Sequence, residues 1–131
     1  MTYAFANATV PKVNVVIGDA FGTAYVAMNS KSIGADIEFA WPTAKIGTMC
    51  PTMAAKIMYA DEIEKAADKN ALIKEKAAEY ETLQSSAIAA AKRGYVDDVI
   101  EPDATRKRVI AAMEMLFTKR EDRPSKKHGT V

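Results

Sequence analysis

A run of β-branched and apolar residues, Val13-Asn14-Val15-Val16-Ile17, leads into Gly18-Asp19-Ala20-Phe21-Gly22-Thr23-Ala24-Tyr25 and then Val26-Ala27-Met28. No other stretch constrains the fold so strongly. The branched run reads as a buried strand, the two glycines mark a tight turn, and the alanine-rich continuation has helical spacing. The expected unit is strand, turn, helix. Such a turn presents free backbone N–H groups at the start of a helix, where they can hold negative charge developing on an oxygen. The same pattern also serves as a plain connection in α/β proteins, and spacing leaves both readings open.

The 131 residues match one domain with one core, and the apolar (49%) and charged (27%) fractions are those of an ordinary globular chain. A net charge of +1 supplies no field for nucleic acid, so no nucleic-acid partner is expected. The apolar runs are too short to cross a bilayer, and Met1-Thr2-Tyr3 opens without the basic region and apolar core of a signal peptide. A cytoplasmic protein without direct membrane insertion is expected. Cys50 is the only cysteine and His128 the only histidine, which excludes an internal disulfide and argues against a cysteine- or histidine-built metal site. No metal is expected.

Residues 1–9 read as the last turns of a helix, ended by Val10-Pro11. Residues 12–17 form the first strand, 23–29 a helix, and 35–40 a second strand whose Asp36 and Glu38 alternate with apolar residues, as on a strand with one wet face. Trp41-Pro42 breaks it. Residues 44–49 supply a third strand, and Cys50-Pro51 a second turn into a helix, with Pro51 suited to the first helical position. From 61 to 83 the chain reads as a long amphipathic helical arm that Asn70 divides, followed by a small-residue helix over 85–91 that ends at Lys92-Arg93-Gly94. Residues 96–100 are extended. Asp103 is the expected cap of a last helix whose inner face is Val109, Met113 and Leu116, flanked by Ile110 and Phe117. Domain boundaries are placed at 1–118, with a basic tail over 119–131 that is solvated or clamps a subunit. Strands separated by helices argue for an α/β fold with right-handed connections, and the surplus of apolar faces points to an interface.

Six phrases carry a resemblance: Ala8-Thr9-Val10-Pro11-Lys12-Val13, Ala20-Phe21-Gly22-Thr23-Ala24-Tyr25, Gly34-Ala35-Asp36, Phe39-Ala40-Trp41-Pro42-Thr43-Ala44, Arg93-Gly94-Tyr95-Val96-Asp97-Asp98-Val99-Ile100 and Lys126-Lys127-His128-Gly129. Taken in order over nearly the whole chain, they resemble the C-terminal part of the carboxyltransferase subunits of biotin-dependent acyl-CoA carboxylases and decarboxylases. The resemblance implies a partial crotonase-like (ClpP/crotonase) ββα spiral with long C-terminal helices, truncated at its N-terminus. It also implies movement of a carboxyl group between biotin and an acyl-CoA substrate. By position, the backbone amides of Thr23 and Ala24 become the oxyanion donors, Gly22 allows close backbone approach, and Phe21, Gly22, Tyr25 and Val26 line the biotin and substrate side. Biotin is the implied cofactor, carried on a separate biotin carrier protein. The other implied partners are an N-terminal carboxyltransferase half and further subunits of a homo- or hetero-oligomer.

This chain departs from the family pattern at three places. Thr23 replaces the second of two adjacent glycines, Val26 stands where the carboxylase branch often has an acid, and Cys50 stands where glycine is frequent. Cys50 is read as a packed thiol rather than a reactive one, Tyr25 and Trp41 as core or interface aromatics that could border a channel, and His128 as no general base. Two other functions stay open. One is a non-catalytic assembly or remnant protein that keeps the fold. The other is a stand-alone hydratase or hydrolase using Asp19 or Glu38, which nothing in the sequence places in a pocket.

Overall fold

The computed structural model describes residues 1–123, so His128 and most of the basic tail lie outside the described residues. A short helix, α1 (Thr2–Asn7), precedes β1 (Val13–Val16), β2 (Asp19–Phe21) and α2 (Gly22–Ala27). Then come β3 (Ile37–Ala40), β4 (Lys45–Gly47) and three helices, α3 (Pro51–Met58), α4 (Ala60–Lys65) and α5 (Lys69–Tyr80). A wide helical turn (Glu81–Ser85) leads to α6 (Ala87–Lys92), β5 (Asp98–Val99) and α7 (Thr105–Met115). The chain thus runs twice through strand, strand, helix.

Among the described residues the five strands form two small parallel sheets, β1-β3-β5 and β2-β4. Val13 faces Ile37 and Val16 faces Ala40 in the first, while Asp19 faces Lys45 and Phe21 faces Gly47 in the second. The sequence reading made residues 18–22 a single turn between strand and helix. The structure instead places β2 there, because Ile17 and Gly18 carry the chain directly from one sheet to the other. A three-residue strand is too short to reveal its period.

Alternation along β3 divides the core. Ile37 and Phe39 join Val13, Val15, Trp41, Ile100, Val109 and Ala112 under α7, whereas Ala40 joins Val16, Ile46, Ala87 and Ala90 between the sheets and α6. Alanines at the contacts let helices sit close on the strands. Glu38 corrects the expectation of a wet face. It shares the Ala40 side of β3, which the second layer covers, and is 0% exposed.

Several boundaries also move. The helical arm breaks at Ala66-Ala67-Asp68 rather than at Asn70, because the Asp68 carboxylate caps α5, accepting from the N–H groups of Asn70 and Ala71, both at 3.0 Å. The Ser86 hydroxyl caps α6 through the Ala89 N–H at 3.2 Å. Asp103 caps nothing: it lies in a tight turn (Pro102–Ala104), and α7 starts without a side-chain cap. The inner face of α7 is Val109, Ala112 and Leu116, one position away from the expected Met113, which is exposed. Ala112 is small enough to meet Phe39 and Ile100 closely. Pro51 occupies the start of α3 as expected, with Cys50 before it as a free thiol of intermediate burial.

Asp36, just before β3, binds the start of β1 to the segment after α7. Its carboxylate accepts the Lys12 N–H at 2.7 Å and the Lys119 ammonium at 2.8 and 2.9 Å. Burial alone would raise this carboxyl, but the Lys119 hydrogen bond, the Lys12 N–H and the two lysine charges outweigh it and hold the pKa below the ordinary 3.8. A depressed folded pKa stabilises the fold above the unfolded value, and that contribution is lost as pH falls through the folded one. Asp36→Asn is therefore expected to cost about 1 to 3 kcal/mol at neutral pH. Urea unfolding should show the gap closing at pH values well below the ordinary carboxylate pKa.

Candidate functional site

Gly22 carries the chain from β2 into α2 at φ 66°, a left-handed conformation in which glycine carries no Cβ penalty. Phe21 precedes it in extended geometry and gives no side-chain cap, so the first N–H groups of α2 have no side-chain acceptor. Beside this turn lies a cavity of ≈ 540 Å³ walled by Gly22, Thr23, Tyr25 and Val26 on one side and by Gly47 and Thr48 at the end of β4 on another. Tyr80, Gln84, Arg93 and Tyr95 close it from α5, the wide turn and the loop after α6. This volume suits a small ligand group. The walls carry three tyrosines, one amide side chain and one guanidinium.

Four of the six residues singled out from the sequence, Gly22, Thr23, Tyr25 and Val26, therefore meet at one cavity. Ala24 is exposed on the first turn of α2, and Phe21 pairs with Gly47 beneath it; neither lines the cavity. Trp41 is elsewhere, packed beneath α7 with its indole N–H donating to the Thr105 hydroxyl at 2.9 Å. Cys50 and Asp19 line neither this cavity nor the larger one of ≈ 810 Å³ along α6. That larger space holds Lys45, Glu81 and Lys92 but none of the six residues.

Tyr25 is the polar anchor of the cavity. Its hydroxyl donates to Glu38 Oε1 at 2.5 Å, while the Lys31 backbone N–H donates to Oε2 at 2.8 Å. Burial raises the Tyr25 hydroxyl well above its ordinary value, and the hydrogen bond and charge of Glu38 add to it, so it stays a donor across the physiological range. Glu38 is also raised, chiefly by burial and further by the charge of Asp97, against the lowering effect of Tyr25 and of the Lys31 N–H and ammonium. Its ionisation consequently opposes folding as pH rises through that raised value. Bound on both oxygens, Glu38 is not presented to a ligand as a free base.

The carboxyl transferase domain model matches residues 1–131. The chain belongs to the carboxyl transferase domain family. It is 50% identical over 129 residues to the methylmalonyl-CoA decarboxylase α subunit of Propionigenium modestum, a match that covers 98% of this chain and 25% of that one. It is 47% identical to the propionyl-CoA carboxylase carboxyltransferase subunit of Haloferax mediterranei, over 100% of this chain and 25% of the relative. The transcarboxylase 12S crystal structure superposes with a TM-score of 0.91 at 45% identity, covering 98% of this chain and 25% of that one. This carboxyl transferase domain chain thus spans about a quarter of the length of these relatives.

In this carboxyl transferase domain the sequence reading missed Tyr80, Gln84 and Arg93 as cavity residues. The Arg93 guanidinium binds the Gln84 carbonyl at 3.1 Å and the Gln84 side-chain oxygen, which fixes both at the rim. The sequence explained Arg93 as a basic residue at a helix end, and so gave no reason to look for a ligand there. Only its place in the phrase Arg93-Gly94-Tyr95 tied it to the family. Among the described residues no three His, Cys, Asp or Glu side chains assemble as a metal site, and no helix is long and apolar enough to cross a membrane.

Proposed function

We propose that this chain supplies the biotin side of a carboxyltransferase, in which a carboxyl group moves between biotin and an acyl-CoA. The single observation that carries the reading is the glycine turn at Gly22, which opens onto a ligand-sized cavity in a chain of this family. The cavity fits the group: its tyrosine walls offer apolar faces to a bicyclic ring, and the first-turn amides offer donors to a ureido oxygen. When bound, biotin supplies the ureido nitrogen that carries the carboxyl group. In this reading the backbone amides of Thr23, at the cavity wall, and of Ala24, next to it on the first turn of α2, are the donors that hold negative charge on the ureido oxygen. Gly22 lets the backbone come close, and Phe21 supports the turn through its pairing in the second sheet. Tyr25 and Val26 shape the wall, and the Tyr25 proton stays on its own oxygen.

The two passages through strand, strand, helix support a partial crotonase-like spiral, α/β in class, of which this chain supplies some turns. The remaining carboxyltransferase portion, with the acyl-CoA site, is the first partner. A biotinylated carrier protein is the second. The transcarboxylase 12S neighbour is described as a hexamer assembly with methylmalonyl-CoA bound, and we assign this chain to an oligomer of the same kind. Exposed Met53, Ile57 and Met58 on α3 and Ile110, Met113 and Phe117 at α7 are apolar faces for such contacts. Its place of action would be the cytoplasm, with no metal in the step.

A titration of the folded chain with biotin methyl ester tests the reading. Saturable shifts of the Gly22, Thr23 and Ala24 amide resonances are expected, with dissociation in the millimolar range for so small a ligand. Absence of any shift at the solubility limit, with the N-terminal portion present as well, would favour a remnant that keeps only the fold.

A further inference from the structure

α2 is held by few means of its own. It has six residues, no buried side chain and no side-chain cap, and so short a helix is unstable alone. Yet two points on it and just beyond it converge on one carboxylate. Tyr25, in its first turns, donates to Glu38 Oε1 at 2.5 Å, and Lys31, four residues past its end, donates its backbone N–H to Glu38 Oε2 at 2.8 Å.

Glu38 is itself fixed. It lies in β3 with its side chain fully enclosed, its N–H donates to Asp97 Oδ2 at 2.8 Å, and its carbonyl accepts the Asp97 N–H at 2.8 Å. The Lys31 ammonium closes the arrangement on the Asp97 carboxylate at 2.5 Å. A buried carboxyl whose two oxygens lose a hydrogen-bond partner is costly, so the geometry of both contacts is strongly held. The central strand of the first sheet thus grips the helix that bears Gly22, Thr23 and Ala24.

The geometry points to Glu38 as a positioning residue, which through Tyr25 sets the orientation of the first turn of α2 and hence the cavity wall formed by Gly22 and Thr23. Its value for carboxyl transfer rests on the proposed function above. The orienting itself is a property of the free chain. Glu38 touches no ligand and takes no proton in this role; it acts by where it holds Tyr25.

Tyr25→Phe, Glu38→Gln and the double variant of the full chain test it. Phenylalanine keeps the ring on the cavity wall and removes only the donor. Glutamine puts an NH2 in place of one of the two oxygens, so with its remaining oxygen on the Lys31 N–H it meets Tyr25 as a donor, reversing the hydrogen bond and removing its charge. Each single variant is expected to shift the Thr23 and Ala24 amide resonances more than those of residues equally far from position 25. Each is also expected to speed hydrogen exchange of the Met28 amide, which donates to the Ala24 carbonyl at 3.2 Å, by about tenfold. Because the two side chains act through one hydrogen bond, the double variant should do little more than the larger single one. A loss from general loosening would instead add.

Unmoved Thr23 and Ala24 amides in folded Tyr25→Phe, or additive effects in the double variant, would overturn the assignment. Tyr25→Phe alone decides if Glu38→Gln does not fold. Biotin methyl ester added to the same samples separates the two claims. Shifted amides in the ligand-free variant, with no response of the unaltered chain to biotin, would sink the function and leave the positioning. A normal response to biotin in Tyr25→Phe with unmoved amides would do the reverse.

Discussion

Valine at position 22 is expected to lower the unfolding free energy by about 2 to 3 kcal/mol, and to remove the saturable response of the turn to biotin. Gly22 has φ 66°, where a β-branched residue is strained whatever the space around it. The backbone conformation, not a clash, sets the cost. A Cβ there makes an ordinary contact, 3.4 Å from the Thr48 carbonyl oxygen, so the strain lies in the left-handed backbone. Relief comes only by turning the start of α2, and that moves the Thr23 and Ala24 amides. Gly18 is the internal control. A Cβ at Gly18 meets nothing within 4 Å, and its φ is not positive, so Gly18→Ala is expected to leave biotin binding intact. Urea unfolding and the amide titration check both variants. Equal behaviour of the two would mean that the turn at Gly22 has no special role.

The contrast between those glycines shows where sequence reasoning stopped. Val13 to Val16 and Ile37 to Ala40 were legible as strands because branched and apolar residues dominate both. β2 was not, since Asp19-Ala20-Phe21 has neither branching nor length, and its pairing with residues 45–47 is a long-range fact. The helices after Pro51 were legible from composition, while their ends followed the side chains that cap them. Asp68 sets one break, and Ser86 starts the next helix. Met113 falls on the inward face by its spacing of four from Val109 and three from Leu116. The structure turns Ala112 inward instead, buried with Phe39 and Ile100, and leaves Met113 exposed.

Glu38 is the instructive miss at the site. An acid alternating with Ile37 and Phe39 is the usual mark of a strand face open to water, and the period was read correctly. A second layer covers that face. Nothing local to residues 35–40 announces Tyr25 or Asp97, which arrive from elsewhere in the chain. The turn at Gly22 could be found from local sequence because its geometry is local. The far wall, made by Tyr80, Gln84 and Arg93, needed the fold.

The second large effect is the dependence of transfer on the rest of the relatives' length. The donors assigned to this chain serve one end of the carboxyl group, and an acyl-CoA must be held at the other end in reach of it. Loss of even one preorganised oxyanion donor costs about 100- to 1,000-fold in such chemistry. Loss of orientation as well should leave this chain by itself at the background rate.

The decisive measurement is carboxyl transfer from a carboxylated biotin carrier to propionyl-CoA by this chain, with and without the remaining, unmatched portion of a relative such as the Propionigenium modestum α subunit. Background rates alone, and turnover at least about 100-fold higher in the joined sample, are the expected result. Equal turnover by the chain alone, or a folded stoichiometric complex with no transfer at all, would contradict the account.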